Sequence, residues 1–545
     1  MTAETSGLGD GKKPPRKKSD GVDVPVGGAY AKYALGILMV VYVFNFVDRQ
    51  ILSILAPDIK ADLGISDAQL GYLYGTSFAI FYSLFGIPLG RLADSWTRKK
   101  LISIGLALWS AMTALSGFSR GFAPLATFRV GVGIGEAAAS PAAYSLLADY
   151  FPPRLRATAL GVYASGASIG VGLGVFIGGA ILDTWNGWFP DTSLAPLGLK
   201  GWQAAFLAVG LPGLVMALWV ASMREPRRGQ SDGLPSPIHP HPFREAWAEF
   251  MALLPGLSLL YLAHLRVPGR VYIANLAGAA LIAIVAALLI LATGGMVQWV
   301  SLGIGIYCCY SWGVALSVTD PKTFDMIFRC RTIVCGCLGF STIAFALYGF
   351  QFWLPSYLIR NFQVSATQVG GTVGLCAAIG GWIGVTFSGF LADKWRERSI
   401  FGNLNVGVVT ILGTGISATA IVLSPSIWPA YVLTFVYFVL SSMWLPPIVA
   451  TVTSLVLPQA RALVGALYIM TVTLLGLALG PYLMGFFSDS FIAAGSSPST
   501  GLRYGILVGL TVLFLGLVCL YIARRAIPGD EARHLARAEA SKNAS

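Results

Sequence analysis

Apolar windows of about 20 residues recur along the whole chain, and a helix of about that length crosses the roughly 30 Å hydrocarbon core of a bilayer. They fall at 33–55, 70–92, 101–118, 122–147, 158–182, 202–222, 272–293, 297–318, 333–357, 366–391, 404–423, 428–455, 463–487 and 504–523. The pattern predicts an all-α polytopic membrane protein with about 14 spans. Segment 243–265 is different, because its apolar part is short and holds Pro255 and His264. A span there would break the alternation of sides, so an interfacial helix is expected.

The polar positions between windows set the orientation. Arg98-Lys99-Lys100, Arg154 with Arg156, Arg227-Arg228, Lys394 to Arg398 and Arg524-Arg525 all fall on one side, as does the basic N-terminal segment. Cytoplasmic loops carry the Lys and Arg excess, so both termini are expected in the cytoplasm, with the protein in the cell membrane. Residues 1–29 contain five basic residues among Gly and Pro and read as a disordered cytoplasmic tail, not a signal peptide. Residues 527–545 read as a second tail.

Composition agrees: 55% of the 545 residues are hydrophobic and 11% charged, against about 25% charged in soluble domains. The net charge of +12 sits in short clusters between apolar runs, so nucleic acid is not an expected partner. Seven cysteines lie in spans or near basic loops, which argues against a disulfide framework. Cys330, Cys335 and Cys337 lack the partners of a zinc site, and no metal or cofactor is expected.

The two halves repeat. A shift of 299 residues aligns Ser66, Gln69, Gly71 and Gly75 with Ser365, Gln368, Gly370 and Gly374, and Gly90, Leu92, Ala93, Asp94 and Trp96 with Gly389, Leu391, Ala392, Asp393 and Trp395. A shift of 306 aligns Gly170, Gly174, Gly179 and Asp183 with Gly476, Gly480, Gly485 and Asp489. Two six-helix bundles are expected, at 30–223 and 332–526, with a binding site at their interface near the midplane. Between them lie a cytoplasmic linker (224–270), an inserted transmembrane hairpin (271–318) and a short second linker (319–331). Residues 235–242, Pro-Ser-Pro-Ile-His-Pro-His-Pro, read as a stiff extended piece.

Asp48 and Arg49 interrupt the first apolar window, where a charge costs roughly 2.5 to 3.5 kcal/mol on insertion scales. The repeat places Leu347 and Tyr348 opposite them, so the fold itself does not require the pair. Arg129 and Glu136 lie in the fourth window, seven residues apart, close to two helical turns and able to face one cavity. Arg129 could instead satisfy backbone carbonyls. Window 428–455 contains no charge, so the first half is expected to handle ions and the second to contribute apolar and aromatic surface. Asn45 lies one turn before Asp48, while Tyr348, Gln351 and Trp444 are candidate substrate-binding residues of the second half, or core packing.

The chain resembles the major facilitator superfamily over nearly its whole length. Gly90-Arg-Leu-Ala-Asp94-Ser-Trp-Thr-Arg98-Lys99 is similar to the family's loop after span two, and Gly389 to Arg398 is its repeat copy. The resemblance implies a cytoplasmic gate in which Asp94 caps a facing helix and Arg98 pairs with Asp149, with Asp393 the counterpart of Asp94. Glu397 stands at the second copy's Arg position, so the latch is expected to be one-sided. Arg129-Val-Gly-Val-Gly133-Ile-Gly135 resembles the family's span-four pattern. Gly161 to Gly179 has the spacing of its antiporter motif, but Val175 stands where that motif has proline.

Within the superfamily, Asn45-Phe-Val-Asp-Arg-Gln50, Gly133 to Ser140 and Gln351-Phe-Trp-Leu-Pro355 resemble the spinster-type transporters. That resemblance implies lysolipid or sphingolipid-phosphate transport and a proton-coupling role for Asp48 and Arg49. The expected function is proton-coupled secondary transport by a monomer among membrane lipids, with Asp48, Arg49, Arg129 and Glu136 as the coupling set. A multidrug antiporter and an organic-anion symporter are the alternatives. An enzyme is not expected, because no nucleophile lies beside a base.

Overall fold

The structure is a computed structural model and describes residues 24–232, 241–254, 256–264, 266–457 and 460–543. Most of the expected N-terminal tail and of the stiff piece at 235–242 lies outside the described residues. The first half contains α1 (Ala29–Leu63), α2 (Asp67–Ser95), α3 (Arg98–Ser116), α4 (Phe122–Glu136), α5 (Ala139–Tyr150), α6 (Pro153–Trp188) and α7 (Gly201–Ser222). The linker holds α8 (Pro242–Leu253) and α9 (Leu257–His264), and the insertion holds α10 (Gly269–Thr293) and α11 (Met296–Thr319). After α12 (Pro321–Phe328) come α13 (Arg331–Phe362), α14 (Ala366–Arg398), α15 (Gly402–Val422), α16 (Ile427–Ser454), α17 (Leu463–Ala493) and α18 (Pro498–Arg537).

Twelve helices among the described residues are long and apolar enough to cross a membrane, and both hairpin helices are among them. Helix α3 and the pair α4–α5 are not in that set. The first opens on Arg98-Lys99-Lys100, and the second is interrupted after Glu136.

Several long helices are irregular near their middles. α2 is broken at Gly75 (φ −92°, ψ −81°), α14 and α17 contain π-helical turns at 376–380 and 472–477, and α16 a 3₁₀ turn at 442–444. Such turns leave backbone groups outside the regular ladder and are often found at functional sites.

The repeated residues do one job twice. Ser66 accepts from the Gln69 amide (3.1 Å) and Ser365 from the Gln368 amide (3.2 Å), starting α2 and α14 as N-caps. One turn on, each helix presses a glycine against the other half. A Cβ on Gly71 would lie 2.4 Å from the Pro481 carbonyl oxygen, and one on Gly370 would lie 2.7 Å from that of Val175. Gly485 likewise meets Asp67, and Gly179 meets Ala366, at 2.4 and 2.5 Å. The α2–α17 and α14–α6 seams are therefore twofold mates whose backbones touch, which small residues permit.

Charged groups reinforce this end. The Asp489 carboxylate accepts from the amides of Asp67 (3.0 Å) and Ala68 (2.7 Å), while Asp183 accepts from the Thr367 amide (2.7 Å). Each half thus caps a helix of the other. Buried Asp67 also binds Lys60 (2.7 Å), Arg360 (3.1 Å) and Ser488 (2.8 Å). The opposite end carries the Lys and Arg clusters, and α1 starts there, with Gly27 bonded to Tyr150. At this basic end the motif glycines are free: a Cβ on Gly90 would meet only Pro141, at 3.9 Å, and one on Gly389 nothing within 4 Å. The bundle is closed at one end and parted at the basic end.

Candidate substrate and ion-coupling site

Asp48 and Arg49 are adjacent on α1, so their side chains diverge by about a third of a helical turn. Arg49 reaches Glu136 at the end of α4, with Nε and Nη2 both 2.7 Å from the same carboxylate oxygen. Its guanidinium is boxed by the rings of Phe46 (4.9 Å), Phe78 (4.3 Å) and Tyr82 (4.9 Å), which adds cation–π attraction in a desolvated setting. The side chain is 15% exposed, whereas Glu136 is fully buried.

Asp48 takes the other side. It is buried, and neither carboxylate oxygen has a hydrogen-bond partner among the described residues. Thr113 and Trp109 stand beside it with their donors free to turn toward its carboxylate. Arg129 lies between the two carboxylates electrostatically, but its hydrogen bonds go to backbone carbonyls of Asp48 (3.2 Å) and Leu73 (3.4 Å). Of the two roles open to Arg129, carbonyl satisfaction is the one drawn in this conformation. Asn45 is buried beside Glu136 rather than on a cavity wall.

Arg49 faces a cavity of about 170 Å³ between the halves. Tyr348, Gln351 and Trp444 line it from the second half, as do Phe438 and Leu445. The sequence therefore brought four cavity residues together, Arg49 included, and placed Asn45 one layer too close to the solvent path. It missed the box of Phe46, Phe78 and Tyr82, whose only signal was aromatic spacing on α1 and α2. Gln50 was missed too; it lines the cavity and accepts from Tyr74 at 2.9 Å.

At the basic end, Arg98 is buried and pairs with Asp149, as the motif implied. It also meets Glu225 at 2.8 Å, a partner the motif did not name. Glu225 further accepts from the amides of Arg98 (3.3 Å) and Lys99 (3.0 Å), capping α3. Asp94 and Asp393 are exposed and make no hydrogen bond or ion pair among the described residues. The helix cap expected from Asp94 is absent here because the halves are apart at this end.

A bundle of two repeated halves enclosing a buried ion cluster is the architecture of a secondary transporter. A family model described as the Major Facilitator Superfamily matches residues 38–401, and the chain belongs to that superfamily. It is a multi-pass membrane transporter of a small molecule, not an enzyme. Within the superfamily it is similar to the spinster-type transporters. It is 24% identical to the sphingosine-1-phosphate transporter SPNS2 of Danio rerio, over 84% of this chain and 76% of that one. An MFS-type efflux pump of Mycolicibacterium smegmatis is 26% identical, over 90% of this chain and 92% of the pump. Among solved structures, a bacterial homologue of the human lysosomal transporter Spinster, inward-facing and unoccupied, aligns with a TM-score of 0.69 at 24% identity, covering 92% of this chain and 99% of that one.

Proposed function

We propose that this transporter couples protons to the movement of an amphipathic anion such as a lysolipid, by alternating access, as a monomer in the cell membrane. Its basic end faces the cytoplasm, and α3 and the α4–α5 pair cross the membrane as well, giving 14 spans. The observation that carries the reading is the split of the Asp48–Arg49 pair: the cation faces the cavity between the halves, and the acid is sealed behind it.

A charged carboxylate is costly to bury, so Asp48 is the acid assigned to take up and release the proton. Arg49 is meanwhile neutralised by Glu136. An anionic head group entering the cavity competes with Glu136 for Arg49, and Glu136 then requires a cation or a proton of its own. Arg129, within electrostatic reach of both acids, supplies the compensating charge as the halves rock. Of the gate residues, Arg98 and Asp149 are already paired, while Asp94 beside Gly90, with Asp393 in the copy, engages when the cytoplasmic end closes.

The cavity is smaller than the roughly 300 to 1,000 Å³ of drug-sized pockets, so it takes a head group while the apolar part extends toward the open end. Similarity to the mycobacterial pump along nearly its whole length favours drug efflux as a second reading. Purified protein in liposomes with an internal pH-sensitive dye separates the two. Lysolipids are expected to drive proton movement, and cationic drugs are not. Absence of proton movement with every lysolipid, or unchanged coupled flux in Asp48→Asn, overturns the proposal.

A further inference from the structure

The two copies of the gate motif end in different surroundings. In the first half, Lys99 donates its amide to Glu225 and its Nζ to the Met223 carbonyl (2.5 Å), while Arg98 is held by Asp149 and Glu225. Trp96 is covered by Phe243 of α8, ring centroids 5.2 Å apart. The chain itself therefore neutralises and roofs that corner.

Its repeat counterpart is left open. Arg398 corresponds to Lys99 and Trp395 to Trp96. They border a cavity of about 520 Å³ between the basic ends of α14, α15 and α18, which Arg524 and Asn405 also line. Arg524 donates to Asn405 (2.6 Å) and lies over the Phe401 ring (4.6 Å). Neither Arg398 nor Arg524 has a carboxylate partner among the described residues. The acids nearby are Asp393 and Glu397, both exposed, and Glu531, which is paired with Arg396. Below the two arginines the wall turns apolar. Val408 and Val409 line the cavity, and Leu412 and Ile416, three and seven residues beyond Val409, continue an exposed apolar face along α15 toward the bilayer.

We infer that this cavity binds an anionic phospholipid of the cytoplasmic leaflet, its phosphate between Arg398 and Arg524 and an acyl chain along α15. Paired guanidinium groups suit a phosphate, since each presents donors in a fixed fork. Basic pockets between helices on the cytoplasmic side are places where anionic head groups bind. A free phosphate ester shares the head-group chemistry but leaves the apolar wall unused. The leaflet named rests on the cytoplasmic placement of the basic end; the binding itself does not.

The test is lipid retention by the full-length protein, purified in detergent and read by native mass spectrometry after exposure to phosphatidylglycerol or phosphatidylcholine. The protein is expected to keep phosphatidylglycerol selectively. Arg398→Gln and Arg524→Gln, each alone, should weaken that retention roughly fivefold, whereas Arg525→Gln, an equal charge change at a residue that does not line the cavity, should leave it near wild type. Glycerol phosphate in excess should not displace the lipid. Equal losses in all variants, no preference for the anionic lipid, or full displacement by glycerol phosphate would each overturn the inference. Because the measurement needs neither transport nor a membrane orientation, its failure is distinct from failure of the proposed function.

Discussion

Asp48 and Glu136 are both buried acids, yet they should respond oppositely to losing their charge. Asp48 makes no ion pair among the described residues and lies beside the neutral donors Thr113 and Trp109, which suit an amide as well as an acid. Asp48→Asn should therefore keep or raise the melting temperature in detergent while abolishing substrate-driven proton movement. Glu136→Gln removes the partner of Arg49, and breaking one side of a buried pair costs about 3 to 5 kcal/mol. That variant should melt several degrees lower, and a melting temperature equal to wild type would show that the pair does not hold the bundle. The sequence identified all four charged residues because a charge in an apolar window is conspicuous. It could not say which acid takes which base: both lie within reach of Arg129, and the choice depends on how α1 is rotated against α4.

At the level of elements, the seams and the hairpin make separate predictions. Gly71→Val and Gly374→Val would push a side chain into backbone 2.4 to 2.5 Å away. Both should abolish transport while folding, because the closed end could no longer seal; wild-type flux in either would show that the seams part easily. Gly90→Ala should instead leave the present conformation undisturbed, since its Cβ makes only ordinary contact with Pro141, at 3.9 Å. The inserted hairpin is not a bystander at its α11 edge. Gln298 meets Thr76 of α2 at 2.6 Å, and the same Thr76 hydroxyl lies 2.7 Å from the Ala478 carbonyl of α17. The one Thr76 proton is shared between two acceptors, the Gln298 Oε1 and the Ala478 carbonyl oxygen, which places the hydroxyl where both halves meet the insertion. Interhelical hydrogen bonds in membranes average about 0.6 kcal/mol, so Gln298→Leu should lower stability only slightly. Its larger effect should be on the rate of exchange between conformations, measured by transport kinetics.

For the whole molecule, the helix caps across the closed end set the balance between states. Asp183 and Asp489 each cap a helix of the opposite half, and removing a cap costs about 1 kcal/mol. Asp183→Ala/Asp489→Ala should thus shift the population by roughly thirtyfold toward opening at that end. Spin labels on α2 and α17 near Asp67 and Asp489 should then report a longer distance; an unchanged distribution would place the latch elsewhere, in Asp67 with Arg360. The 306-residue shift had already aligned Asp183 with Asp489, but alignment alone gave no partner for either.

What the sequence by itself determined is what hydrophobicity and repetition encode. Window length fixed the helices, basic loops fixed a common side, and the repeat fixed two matching halves, because these depend on local pattern. Residues such as Ser66 with Ser365 and Gly71 with Gly370 were visible as pairs. Only the tertiary structure decided that they form a closed gate, that Asp48 is sealed while Arg49 faces the cavity, and that Asp94 is unengaged. Those facts depend on helix rotation and on which end of the bundle is parted. Neither is encoded in local hydrophobicity or in the repeat, because both are set by packing between helices distant in the chain.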